Sequence, residues 1–70
     1  MSESIYKVIE LIGSSDKSWE DAARKAVERA AKTLEDLRIA EVSTMDMKIE
    51  GGKVVAYRTK VKLSFRFREG

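Results

Sequence analysis

The sequence predicts a single α+β domain of β-α-β-β order, in which a three-stranded antiparallel sheet packs on one helix. Its 70 residues suffice for one domain, residues 1–70. An amphipathic helical segment separates one β-type segment from two more, which flank a Gly-Gly pair. Strands joined by a helical crossover run parallel, so a third strand between them gives a fully antiparallel sheet.

The first predicted strand, residues 5–12, is rich in Ile, Val and Tyr. Apolar residues occupy both odd and even positions along it, so both of its faces need cover. One helix covers only one face, which indicates that a second subunit covers the other. Residues 1–4 are expected to fray, and residues 13–17 are predicted to form a turn.

A helix is predicted from Trp19 to about Leu37, with Ser18 as its N-cap. Five of the nine residues on its apolar face are Ala, so the helix can lie close to a sheet but buries little area. The monomer core is therefore thin, which again favours assembly. Trp19 is either a ligand-stacking aromatic or an anchor in the core or an interface, and the anchor is favoured.

Residues 39–49 and 53–68 are the second and third predicted strands. The third alternates apolar and mostly basic residues, so one face points to the helix and the other away from it. The second changes phase near Ser43 and Thr44, which predicts a β-bulge there.

A three-residue loop, residues 50–52, is predicted for the hairpin because it keeps inward residues opposite each other. This register places Met47 opposite Val55, and Met45 opposite Tyr57. Beyond the bulge, on the face away from the helix, it pairs Glu41 with Lys60 and Ile39 with Lys62.

The composition excludes several classes of chemistry. The chain has no His and no Cys, so zinc sites, disulfides and imidazole or thiol catalysis are absent, and we expect no enzyme. Acidic and basic residues share the same segments at a net charge of +2, so we expect no nucleic-acid partner. No apolar run approaches the ~20 residues that a membrane span needs, and no signal peptide is apparent. We therefore expect no membrane partner and a cytoplasmic location.

Three constellations have a functional interpretation beside a plainer one. The basic stripe of strand three could bind phosphate, but a solvated, salt-bridged face without an aromatic stacking platform is favoured. The loop of residues 13–17 could hold an anion, although an ordinary helix cap is favoured. The acidic pairs at residues 20–21 and 35–36 could chelate a hard cation only where several chains converge.

Four segments carry a family resemblance: residues 6–15, 22–33, 40–42 and 57–61. They closely resemble the opening strand, the Ala-rich helix and the later strands of the dodecins, over nearly the whole chain and without gaps. The resemblance implies a hollow homododecamer of cubic symmetry. It also implies that a flavin (FMN, FAD or riboflavin) binds near two-fold axes for storage or sequestration rather than catalysis.

Two residues depart from the flavin-binding members of that family. Ile39 occupies the position of their flavin-stacking Trp, and Arg58 that of a Gln that hydrogen-bonds the flavin ring. With Glu41 and Lys60, these residues are the candidate cofactor-binding set on the outer face. Guanidinium groups that meet near a two-fold axis need an anion, either Glu41 or a ligand phosphate, so we expect FMN to bind better than riboflavin.

The start of the helix, Ser18-Trp19-Glu20, is similar to a dodecin subgroup that lacks the stacking Trp and has been associated with calcium. No metal ligands can be assigned from the sequence. The leading hypothesis is a homododecameric, non-enzymatic protein that binds and stores a small molecule, with flavin as the family ligand. The alternative is a structural or scavenging assembly that binds a divalent cation (calcium or magnesium), or an anionic ligand other than flavin.

Overall fold

The computed structural model describes residues 5–66 and has the predicted β-α-β-β order. Its elements are β1 (Tyr6–Ser15), α1 (Trp19–Ala30), β2 (Leu37–Glu50) and β3 (Lys53–Arg66). The sheet order is β1-β3-β2 and both pairings are antiparallel, which confirms the predicted topology. The predicted fraying of residues 1–4 and the predicted end of strand three at residues 67–68 lie outside the described residues.

β1 continues through residues 13–15, for which the sequence predicts a turn. Gly13 and Ser15 lie in the strand and pair with Thr59 and Tyr57 of β3, so the predicted turn is wrong in its first half. Gly13 makes this continuation possible because a Cβ there would overlap the carbonyl oxygen of Ala22. The strand therefore passes directly beneath the helix.

α1 begins as predicted but ends seven residues early, at Ala30 rather than Leu37. The Ser18 hydroxyl caps the helix by accepting the Asp21 N–H at 2.9 Å. At the other end, the amides of Thr33 and Leu34 both donate to the Ala30 carbonyl, which tightens the chain into a turn.

The residues that follow this turn cannot extend the helix. Asp36 has a φ of 61°, a left-handed conformation that ends helical geometry. Leu37 then starts β2 and pairs with Phe65 of β3. Its apolar side chain faces the helix from the sheet, although the spacing had placed it on the helix itself.

The hairpin turn has two residues, Gly51 and Gly52, not the predicted three. Their φ values of 59° and 76° suit a type I′ turn, which favours glycine at both positions. An extra residue in β3, Val55, lies between the pairs Ile49–Val54 and Lys48–Ala56. This bulge again places helix-side residues of β2 opposite helix-side residues of β3.

All later pairings are displaced by two residues from the predicted register. Met47 lies opposite Tyr57, Met45 opposite Thr59, and Ile39 opposite Ser64. A shift of two keeps every side chain on its predicted face. The bulge near Ser43 is confirmed, because the register changes between Val42 and Thr44.

The core lies between α1 and the β1–β3 half of the sheet. Ala26 and Ala30 pack on Val61 and Leu63, which are almost fully buried. α1 barely touches β2, so nearly every residue of β2 is exposed. Within residues 5–66, no helix has the length and apolar character that crossing a membrane would need.

Beyond the end of β1, strands β2 and β3 continue as a two-stranded hairpin arm, residues 48–56, and the molecule measures 56 × 20 × 16 Å. A hairpin without further cover is marginally stable in water. The arm nevertheless exposes three large apolar side chains, Ile49, Val54 and Val55, and Met45 and Met47 are exposed directly beside it on β2. Such a surface indicates an interface.

The contact between Gly13 and the helix gives the first prediction. Gly13→Ala should force the strand away from Ala22, at a cost of about 3 kcal/mol in the free energy of unfolding or a failure to fold. Ser14→Ala is the matched control, since Ser14 is exposed and should change stability little. Urea unfolding of both variants measures the difference, and equal stability would contradict the tight approach.

Candidate functional site

All four candidate residues lie on one surface, the outer face, defined as the face of the sheet away from α1. The buried Thr59, Val61 and Leu63 define the helix side, so alternate residues of β3 point outward. The outer face comprises Tyr6, Val8, Glu10, Ile12 and Ser14 of β1, Arg58, Lys60, Lys62, Ser64 and Arg66 of β3, and Ile39, Glu41, Thr44 and Asp46 of β2.

The structure does not bring the four candidates together within one chain. Ile39 lies opposite Ser64, whereas Arg58 is six residues earlier in β3. Six residues of strand span about 20 Å. Glu41 lies near the Ile39 end and Lys60 near the Arg58 end, so a ring-sized ligand can contact both ends only where outer faces of different chains meet.

A cross-strand row of charges replaces the predicted Glu41–Lys60 pair, which is wrong. Lys62 has Glu10 opposite it on β1 and Glu41 opposite it on β2. The Lys62 Nζ lies 3.9 Å from the Glu10 carboxylate, and both side chains are about half exposed. Pairs this exposed contribute little to stability, so the row sets the local charge pattern more than it holds the sheet.

Arg58 has a partner that the sequence did not indicate. Its Nε and one terminal nitrogen donate to the two carboxylate oxygens of Asp46 at 2.7 and 2.8 Å. This hydrogen bonding lowers the pKa of Asp46 and raises that of Arg58, although both side chains stay about half exposed. Within the chain, the anion that pairs with Arg58 is therefore Asp46, which the sequence did not indicate beside Glu41 or a ligand phosphate.

Asp46 could have been found by correct register alone, because it lies directly opposite Arg58. The predicted three-residue loop moved it out of that position. The two-residue glycine turn, combined with the bulge at Val55, is the signal that would have identified the pair.

Trp19 is an anchor, as favoured by the sequence. Its indole Nε1 donates to the Asp46 carbonyl at 2.9 Å, and its ring meets Tyr57 edge-on at 5.1 Å. The Thr59 hydroxyl donates to the Trp19 carbonyl at 2.9 Å. Trp19 and Tyr57 thus join the start of α1 to the helix side of β2 and β3, and neither ring lies on the outer face.

The outer face does carry one aromatic side chain among residues 5–66, contrary to expectation. Tyr6 of β1 lies opposite Arg66 and is 51% exposed. Ile39 is 64% exposed and offers only aliphatic contact. The described residues therefore fit a flavin ring in part, with Tyr6 as the available stacking group and no aromatic group at Ile39.

Asp21, from the first acidic pair, and the loop before the helix have structural roles. Asp21 accepts a hydrogen bond from the Ser15 hydroxyl at 2.6 Å and lies 3.2 Å from Lys25. The hydrogen bond from Ser15 is the largest cause of the lowered pKa of Asp21, and the interaction with Lys25 is the next. The Lys17 amide donates to the Ser15 hydroxyl, so this segment is an ordinary cap.

The second acidic pair lines a groove of about 290 Å³ at the opposite end of α1. Glu35 and Asp36 share it with Lys7 and Arg66, whose positive charges offset the carboxylates. Within the described part of the chain, no group of three or more metal-ligating side chains is assembled. A cation site from these residues would require more than one chain.

The Asp46–Arg58 pair predicts a pH dependence. A carboxylate whose pKa is lowered by folding stabilises the folded state above its unfolded pKa, near about 4, and loses this contribution as the pH falls through the lower folded value. The stability difference between the wild-type protein and Asp46→Asn should therefore be constant at neutral pH and shrink below about pH 4. Thermal unfolding across pH 2–7 measures it, and a constant difference would contradict the pairing.

Comparison with known proteins agrees with this architecture. The dodecin family model matches residues 5–68. Calcium dodecin of Mycobacterium tuberculosis is 45% identical over 65 residues, which cover 93% of this chain and 92% of that protein. Its crystal structure, described as a calcium-chelating antigen with a novel calcium-binding site, superposes with a TM-score of 0.82 at 47% identity and covers 93% of both chains.

The dodecin of Streptomyces coelicolor gives a TM-score of 0.91 at 38% identity and covers 100% of both chains. A family match over nearly the whole length, together with the same strand order and helix position, leaves no other assignment. The chain belongs to the dodecin family.

Proposed function

We propose that the protein is a non-enzymatic homododecamer that binds and stores a small ligand, with flavin as the leading candidate, between the outer faces of its sheets. The observation that carries this proposal is the uncovered sheet. Large apolar side chains on both faces remain exposed in the single chain, between 41% and 64%: Ile5, Tyr6, Val8, Ile12, Ile39, Val42, Met45, Met47, Ile49, Val54 and Val55.

Assembly follows from the position of those side chains. They lie on both edge strands and on the hairpin arm, so no single partner of ordinary size covers them all. Several copies of the same chain, each covering part of its neighbours, satisfy every surface at once. Membership of a family of small, homo-oligomeric binding proteins supports this arrangement.

The ligand site of the proposal is formed between chains. Ile39 and Arg58 are about 20 Å apart on one outer face, so a ligand that contacts both positions needs a neighbouring chain. Tyr6, Val8 and Ile12 add apolar area beside the charges of β3. Flat, partly apolar molecules suit such a surface, whereas a nucleic acid or a membrane does not. The proposed location remains the cytoplasm.

The oligomeric state tests the first part of this proposal. Light scattering of the purified protein should give a mass near twelve subunits, and the thermal midpoint should rise with protein concentration if folding and assembly are coupled. A folded, stable monomer at micromolar concentration would contradict it, because the exposed apolar surface would then need no cover.

Aromatic stacking tests the flavin part. The variant Ile39→Trp with Arg58→Gln should bind riboflavin several tens-fold more tightly than the wild type, because stacking on an aromatic group contributes about 1–3 kcal/mol. Quenching of flavin fluorescence measures the affinity. Ile49→Trp is the matched control, since Ile49 is 62% exposed but lies near the tip of the arm. An equal gain in riboflavin affinity in the Ile49→Trp control would contradict the assignment of Ile39 to the flavin site.

A second candidate function, binding of a divalent cation, is favoured by the 45% identity to calcium dodecin. Calorimetric titration of the metal-free oligomer with CaCl₂ should then give saturable binding, which MgCl₂ competes with only weakly if calcium is the cation. Removal of calcium with a chelator should lower the thermal midpoint. If calcium gives no heat of binding and the chelator does not shift the thermal midpoint, cation binding is contradicted and the small-molecule role remains the proposal.

A further inference from the structure

We propose that Asp46 determines which charge of ligand the outer face accepts, because it occupies Arg58 and so removes the preference for anionic over neutral ligands at that end. The inference rests on the proposed ligand-binding role of this face. It replaces the expectation from the sequence, in which Arg58 made the site select anions.

The geometry of the pair is the first reason. Arg58 uses Nε and a terminal nitrogen together, in two hydrogen bonds of 2.7 and 2.8 Å to one carboxylate. This is the fork with which arginine clamps carboxylate and phosphate groups. A ligand phosphate must therefore displace Asp46 from Arg58. This exchange of one anion for another gives little net gain in binding free energy.

The position of Asp46 is fixed from the helix side. The Trp19 indole donates to the Asp46 backbone carbonyl at 2.9 Å, and its ring packs edge-on against Tyr57. Tyr57 is the chain neighbour of Arg58, so both members of the ion pair are tied to the same aromatic contact. Trp19 is thus a positioning residue for the pair.

The neighbouring charges show what removal of Asp46 would create. Lys60 is two residues from Arg58 on the same strand face, and its positive charge helps to lower the pKa of Asp46. On the other side of Arg58, β1 presents only the neutral Ser14. Without the carboxylate, Arg58 and Lys60 form an unbalanced cationic pair, which is the arrangement that attracts a phosphate.

The test compares two flavins that differ in one phosphate. The wild-type oligomer, Asp46→Asn and Glu50→Gln are titrated with FMN and with riboflavin at low and high salt. Glu50 is a matched control because it is a carboxylate of β2 that also pairs with a cation, Lys48 at 3.5 Å, and its side chain is exposed to 63% against 52% for Asp46. The ratio of the two dissociation constants is the readout, and a purely structural loss would change both constants together.

In the wild type and Glu50→Gln, FMN and riboflavin should bind within about twofold of each other. Asp46→Asn should favour FMN by about tenfold, and added salt should reduce that preference. Trp19→Phe keeps an aromatic ring beside Tyr57 but loses the Nε1 donor, so it should give an intermediate preference. Addition of Arg58→Gln to Asp46→Asn should abolish the gain. A wild type that already prefers FMN tenfold, or an Asp46→Asn ratio equal to that of Glu50→Gln, would overturn the inference.

A second readout needs no flavin and separates this inference from the proposed function. Replacement of chloride by inorganic phosphate at constant ionic strength should raise the thermal midpoint of Asp46→Asn more than those of the wild type and Glu50→Gln. Equal shifts in all three proteins report a general salt effect and contradict the inference. If no variant binds either flavin, the proposed flavin role fails, while the phosphate shift still decides the role of Asp46.

Discussion

The architecture depends on a mismatch of length between one helix and the sheet beneath it. Twelve residues of helix span about 18 Å, whereas the fourteen residues of β2 or β3 span about 46 Å. The helix is brought close by Gly13 and by its alanine face, so what it covers is packed tightly. What it cannot reach is most of β2, the hairpin arm and the whole outer face.

The uncovered surfaces connect folding to function. An arm with apolar side chains on a two-stranded hairpin is unfavourable in water, so the surface that limits the stability of the monomer is also the surface that we propose drives association. Because Ile39 and Arg58 lie at opposite ends of the outer face, a pocket that uses both positions exists only after association. Ligand binding and assembly are therefore expected to stabilise each other, since a ligand shared by two chains favours the state in which they are joined.

Sequence reasoning predicted the fold and the correct face of each site residue, and it failed where two local effects compensate. The alternation of β3 and the phase change at Ser43 were sufficient for the topology and for one bulge. The extra residue Val55 was hidden because Val54 and Val55 are both apolar, so the loop was given three residues instead of two. That error preserved the faces but displaced Asp46 from Arg58. The early end of α1 was equally hidden, because Leu34 and Leu37 continue the helical spacing while Asp36 ends it through its backbone conformation.

Hydrogen exchange of the amides in the hairpin arm is the most direct measurement of the central claim, that other copies of the chain cover this surface. In the assembled protein, residues 48–56 should exchange as slowly as the β1–β3 core, because burial between subunits prevents the local opening of a bare hairpin. An intact assembly in which the arm exchanges rapidly while the core stays protected would show that the arm is not an interface, and the account of the uncovered sheet would be wrong.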